Sequence, residues 1–325
     1  MKLNIYYKTD PPADRWFKGD NKVREIIRRI IRGKKKIGGV DLVFINLCKG
    51  LKKIGVPFEV NTPFNEVTDS SIVCVIGRGR YSLEGYSLPN PVIAGIGLMT
   101  HPLEWPDICK NYPIKRYLQH SKWANDLYKP YFGEEICKDI WPVGIDTNYW
   151  TPSSIKNKKY DFLIYNKIKW NQTMVCTNLL FPIKEVLKNN NLRFIEIKYG
   201  EYEPQYYKKC LDDSNAMIFI SEHESQGLAY QEALSCNIPV LAWSPGRIMD
   251  PQFIKWGDFG KKAESVPIWD ESCGITFKDF KDFAIKFPNF ICQNSNNYYM
   301  PRLFIMNNLT LEQCAFNFFR ISKDI

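Results

Sequence analysis

Short apolar runs alternate along this chain with stretches of helical spacing, and glycine, proline or asparagine marks most of the breaks between them. The runs at 2–7, 57–60, 72–77, 92–96 and 117–121 suit buried strands, and so does a later set at 160–165, 194–199, 216–220 and 239–243. A final short run at 273–277 suits an edge strand. Helical stretches fall between them: 42–53 ending at Gly55, 122–128 behind a Ser121 cap, 171–190, 204–212 opening on Pro204, and 228–235 ending before Asn237 and Pro239. Near the end, Thr310 and Gln313 have capping-box form ahead of a stripe of Leu311, Cys314, Ala315, Phe318 and Phe319. Strand and helix in alternation predict an α/β protein with parallel sheets.

The most informative stretch is 221–243, a loop and one helix held between two buried strands. In such a unit the helix N-terminus points its free N–H groups into the crevice at the carboxyl ends of the strands, where open α/β sheets bind anions. Two carboxylates belong to it, Glu224 in the loop and Glu232 in the helix. At 100° per residue Glu232 lies between Leu228 and Ala229, on a face where apolar side chains point, so it needs a polar partner such as a ligand hydroxyl.

Glu224 and Glu232, with Gly227, Leu228 and the trailing Ala233, Leu234, Pro239 and Val240, resemble the donor-site motif of retaining nucleotide-sugar glycosyltransferases of the GT-B fold, family 4. Two further segments are similar to that family. Gly38 and Gly39 ahead of the first crossover resemble its glycine-rich loop, where acceptor or phosphate approaches; Pro142, Gly144, Ile145 and Asp146, then Tyr149, Trp150 and Pro152, resemble the close of its first domain. The resemblance implies two Rossmann-like domains facing a cleft, at 1–150 for the acceptor and 151–307 for the donor, with a last helix at 308–325 packing back on the first. It implies that Glu224 contacts sugar hydroxyls and Glu232 the ribose, with Gln226, Gly227 and Leu228 at the donor's phosphates. It implies too that Tyr199 and Gly200 lie by the base and that His101 faces the sugar-phosphate region. Where the family has glycine, arginine and a later lysine after the first strand of its second domain, this chain reads Asn166 to Trp170, so Lys167 and then Lys169 are the candidates for the diphosphate. The expected donor is a nucleotide sugar, transferred with retention to a glycan or lipid-linked glycan, in the manner of cell-surface polysaccharide synthesis.

Composition narrows the setting. With 325 residues, 45% hydrophobic and no low-complexity tract, the chain has ample material for two cores. No apolar run approaches a membrane span, and the start of the chain reads as a strand, so a cytoplasmic protein is expected. The 10 cysteines show neither a Cys-x-x-Cys pair nor a metal-ligand spacing, which favours reduced thiols. No Asp-x-Asp triplet or His/Asp cluster suggests a metal, and none is expected. The net charge of +9 suits an anionic ligand or surface. Part of it is concentrated at 22–36, where Lys22, Arg24, Arg28, Arg29, Arg32 and Lys34 to Lys36 surround a stripe of Val23, Ile26, Ile27, Ile30 and Ile31. That face suits either an anionic membrane surface or a solvated helix packed through its isoleucines. Transfer to hydroxylated bases of nucleic acid is the less favoured alternative, beside a non-catalytic nucleotide-sugar binder and an isomerase or phosphorylase on the same fold.

Overall fold

The computed structural model describes residues 2–8, 18, 20, 24, 38–77 and 79–325. Apart from Arg24, whose guanidinium pairs with Asp20 at 3.1 Å, the basic stretch 21–36 lies outside the described residues. The described chain forms two compact units, one of residues 1–119, 127–141 and 315–325, the other of 120–126 and 142–314.

In the first unit a five-stranded sheet is ordered β2-β1-β3-β4-β5, with β1 Lys2–Tyr6, β2 Phe58–Val60, β3 Ser71–Val75, β4 Val92–Ala94 and β5 Ile114–Tyr117. All its pairings are parallel. The strand expected at 117–121 therefore starts earlier, because Ile114 and Arg116 pair with Val92 and Ile93, and it ends where 118–121 runs into the helix Lys122–Phe132. The helix Gly39–Lys53 returns from β1 towards β2, burying Val43, Leu47 and Leu51. The helix Leu311–Lys323 is divided between the units: Leu311 to Cys314 belong to the second and Ala315 onward to the first. In the first unit Phe318 packs edge-on against Trp141 and Arg116 donates to the Asp324 carbonyl.

The second unit holds a parallel sheet ordered β10-β9-β8-β6-β7, with β6 Tyr160–Lys167, β7 Phe194–Lys198, β8 Ser214–Ser221, β9 Val240–Trp243 and β10 Gly274–Phe277 at the edge. Alternation along each strand divides the side chains between two cores, as a sheet covered on both faces requires. Leu163, Tyr165, Met217, Phe219, Val240 and Ala242 join Tyr207, Tyr230 and Leu234 of the helices Pro204–Asp212 and Leu228–Ser235. Phe162, Ile164, Ala216, Ile218, Ile220 and Leu241 join Leu179, Ile183, Phe283 and Phe287 on the other face. The single helix expected at 171–190 is interrupted. Gln172–Val175 and Phe181–Asn189 flank a π-helical turn at Cys176–Leu180, and Pro182, which has no N–H and crowds the carbonyl four residues back, supplies the cause. Two helices, Phe280–Ser295 and Pro301–Asn308, have no counterpart in the sequence reading, although Phe283, Phe287 and Phe290 of the first carry the helical spacing plainly. No helix of the described residues is long and apolar enough to cross a membrane.

Candidate functional site

Register brings the key residues of the second unit together. β6 and β8 pair so that Lys167 stands opposite Ser221, and β6 pairs with β7 so that Asn166 stands opposite Lys198. Lys167 and Ser221 close their strands, and the residues that follow, 168–170, 199–202 and 222–226, therefore emerge side by side at the carboxyl ends. Lys167 Nζ lies 2.5 Å from Glu224 Oε1 and 4.5 Å from the Tyr199 ring centroid; Lys169 Nζ lies 5.7 Å from the same ring. Glu224 Oε1 also accepts from Ser221 Oγ at 2.7 Å. Its backbone is pinned on both sides, the N–H donating to the Glu264 carbonyl and the carbonyl accepting from Trp123 Nε1, each at 2.9 Å. Burial alone raises the Glu224 carboxyl, but the Lys167 ammonium and the Ser221 hydroxyl outweigh it and hold the group below the usual range. Lys169 is displaced downward by burial and by its neighbour Lys167.

Gly227 begins the helix Leu228–Ser235 at φ +85°, and a Cβ there would lie 2.3 Å from Tyr230 Cε1, so only glycine fits the turn. No side chain caps the N-terminus of that helix, which leaves its first N–H groups and the positive end of its dipole for a ligand. Glu232, one turn in, is buried, and among the described residues its carboxylate has no hydrogen-bond partner. Burial pushes it up to about 8. Gln226 is fully engaged: its amide exchanges two hydrogen bonds with the Val143 backbone, at 2.7 and 3.0 Å, and donates to Gln231 Oε1 at 2.9 Å. Its side chain therefore anchors the loop, and its backbone carbonyl accepts from Gln231 Nε2 at 3.5 Å. Leu228 is half-buried at the first helical position. Tyr199 is 47% exposed, and Gly200 turns the chain at φ +82° beside an open cavity of about 260 Å³ lined by Glu196, Ile197, Lys198, Glu201, Tyr202 and Tyr206.

In the first unit His101 is wholly buried, where it begins a short 3-10 turn by accepting the Leu103 N–H at Nδ1, 3.1 Å away, and packs edge-on against Tyr131. Gly38 and Gly39 start the helix Gly39–Lys53, but the Gly38 N–H already donates to Asp41 Oδ2 at 2.6 Å. A carboxylate of the chain itself thus occupies that N–H.

Several residues of the second-unit cluster were not foreseen. Glu222 is 1% exposed and its Oε1 accepts from the Lys169 and Trp170 N–H groups. His223 stacks on Trp170 and meets Trp123 edge-on, and burial between them pushes its imidazole down to about 4. Their positions follow from the pairing of β6 with β8, which no local sequence signal reports. Among the described residues no group of three or more His, Cys, Asp or Glu is placed to hold a metal ion.

No model of a protein family matches the sequence, and no curated protein sequence matches it. Solved structures do match in fold. The chain is similar to Anabaena Alr3699/HepE in complex with UDP and glucose, with a TM-score of 0.59 and 10% identity over 100% of both chains. It is similar to a glycosyltransferase from Rickettsia africae, with a TM-score of 0.55 and 12% identity over 99% of this chain and 98% of that one. The apo lipopolysaccharide outer core galactosyltransferase WaaB gives 0.55 and 10% identity over 99% of this chain and 100% of that one. With two parallel five-stranded sheets, each flanked by helices, the chain has the two Rossmann-like folds of the GT-B glycosyltransferases.

Proposed function

We propose that this chain is a glycosyltransferase that takes a sugar from a nucleotide-sugar donor. The carrying observation is the arrangement around one uncapped helix N-terminus: Glu224 ionised against Lys167 ahead of it, and Glu232 buried without a partner just inside it. A carboxylate that lacks a partner in a crevice calls for hydroxyl donors from a ligand, and a ribose supplies two. An ammonium and free helix N–H groups beside it call for an anion, and a diphosphate supplies that. In this reading Lys167, with Lys169 second, and the N–H groups of Gly227, Leu228 and Ala229 stabilise charge as the diphosphate departs and the sugar becomes oxocarbenium-like. Glu224 holds the sugar hydroxyls, Glu232 the ribose, and the turn at Tyr199 and Gly200 the base. The donor belongs to residues 151–307 and the acceptor, a glycan or lipid-linked glycan, to 1–150, where the loop at Gly38 and Gly39 is the candidate for acceptor or phosphate and His101 the candidate facing the sugar-phosphate region. Transfer retains configuration, takes place on the cytoplasmic side of a membrane, and needs no divalent ion, since the cations and helix dipole neutralise the diphosphate.

The deciding experiment is a thermal-shift and turnover screen against UDP-, GDP- and ADP-sugars, beginning with UDP-glucose because HepE binds UDP and glucose. A ligand at 100 times its dissociation constant should stabilise the protein by about 2.7 kcal/mol. A chain that shifts with none of these donors is not a nucleotide-sugar enzyme, and one that binds tightly without turnover is a binding protein. Activity lost in EDTA and restored by magnesium or manganese would overturn the metal-free mechanism.

A further inference from the structure

The sequence around the two lysines contains its own difficulty. Lys167 and Lys169 stand over one ring, Tyr199, with Nζ-to-centroid distances of 4.5 and 5.7 Å, so two like charges are held close together where β6 ends at Lys167 and the chain runs on through 168–170 with no regular structure of its own. Glu224 compensates the first charge directly. Something else must hold the turn. Glu222 Oε1 accepts two successive N–H groups there, from Lys169 at 2.9 Å and Trp170 at 3.0 Å, and the residue is 1% exposed. The Asn166 side chain accepts the Ile168 N–H, and the Trp170 ring lies flat on His223, 5.0 Å between centroids and 11° between planes.

We infer that Glu222 is a positioning residue: through Oε1 it fixes the backbone of 169–170 just beyond β6, so that Lys169 is presented beside the strand-held Lys167 to the diphosphate of a bound nucleotide. The inference rests on the nucleotide-sugar reading above. The contact is one oxygen to two amides, and Glu222 Oε2 has no partner. Burial raises the carboxyl above its usual value, against the pull of the amides. The working group is therefore an acceptor oxygen held at a fixed reach, and the charge is secondary. Glutamine has the same reach and the same acceptor, with its NH2 where Oε2 now stands. Aspartate has the charge but falls one methylene short.

That contrast gives the test. Affinities of wild type, Glu222→Gln and Glu222→Asp are measured by calorimetry for whichever of UDP, GDP or ADP binds wild type, and for the matching nucleoside without phosphates. Melting curves confirm that each variant is folded. Glu222→Asp should lose about tenfold or more in affinity for the diphosphate, the scale of leaving buried backbone donors without their acceptor. Its nucleoside affinity should be unchanged, and Glu222→Gln should stay close to wild type for both. Equal losses for nucleoside and diphosphate would mean a general structural role and overturn the inference. So would a loss in Glu222→Gln with retention in Glu222→Asp, or no loss in either. Lys167→Ala separates this from the underlying reading: if it weakens diphosphate binding while neither Glu222 variant does, only the role of Glu222 fails. If wild type binds none of the three nucleotides, the donor reading and this inference fail together.

Discussion

Glu224 and Glu232 share one loop-and-helix unit yet are displaced in opposite directions, Glu224 below the usual carboxylate range by Lys167 and Glu232 up to about 8 by burial. The signs have separate consequences. A carboxyl lowered by folding contributes stability above its unfolded value and loses it as pH falls through the folded one. A raised carboxyl binds more protons folded than unfolded, so it costs stability as pH rises from 4.5 to about 8, by at most about 1.4 kcal/mol for each pH unit. Glu232→Gln should therefore be more stable than wild type in denaturant titrations at pH 8 to 9 and nearly equal to it at pH 5. On the proposed function the same substitution should also weaken nucleotide binding, because the ribose would lose its partner. In wild type the nucleotide must meet an ionised Glu232, so binding near pH 7 should release a proton from it. Calorimetry in buffers of different ionisation enthalpy reads this as a difference from Glu232→Gln, which cannot release that proton. Glu224→Gln should instead lower turnover with little change in nucleoside diphosphate affinity, while Lys167→Ala weakens that affinity itself. Equal losses of affinity in all three variants would count against these roles.

The helix Leu228–Ser235 depends on a single backbone position. Gly227 adopts φ +85° with Tyr230 Cε1 2.3 Å from where a Cβ would be, and the Tyr230 hydroxyl is itself engaged by the Ile268 backbone. The ring has little freedom to yield. Gly227→Ala should destabilise the protein by about 1–3 kcal/mol in chemical denaturation and misalign the helix N-terminus, so that nucleotide affinity falls with stability. A variant as stable as wild type would show that the loop can shift. This unit was also the most legible part of the chain, because glycine, helix, breaker and strand follow one another within a short span and each has a local cause. The strands were legible for a related reason: burial on both faces makes them continuous apolar runs. What could not be read was register. That Lys167 faces Ser221 depends on residues far apart in sequence, and so the contacts of Glu222 with Lys169 and Trp170, and of His223 with the two tryptophans, had no local signature. The anchoring of Gln226 to Val143 was hidden in the same way. At Gly38 the partner was local but of another kind: Asp41, three positions on, accepts the Gly38 N–H from within the chain.

For the molecule as a whole, the excess of 44 Lys and Arg over 35 Asp and Glu sets a long-range attraction to anions that no single site accounts for. The densest part of that charge lies at 22–36. Arg24 pairs with Asp20, so its charge is partly spent within the chain, and Arg28, Arg29 and Arg32 become the residues to alter. An anionic membrane attracts each nearby cation by about 1 kcal/mol, and the isoleucines of the same stretch can enter its interface. If the acceptor is lipid-linked, reversing these three arginines to glutamate should therefore lower binding to phosphatidylserine vesicles by roughly 100-fold or more, while leaving affinity for a soluble nucleotide unchanged. If the acceptor is nucleic acid, each lost phosphate contact should remove about 0.9 from the slope of log affinity against log salt on duplex DNA. The isoleucine stripe favours the membrane, since bulky apolar side chains gain nothing from a polyanionic groove. Vesicle co-sedimentation beside a DNA titration across salt separates the outcomes. Tight duplex binding with no affinity for anionic vesicles would overturn the lipid-linked acceptor, and binding to neither would leave the charge as a solvated face that keeps the protein dispersed.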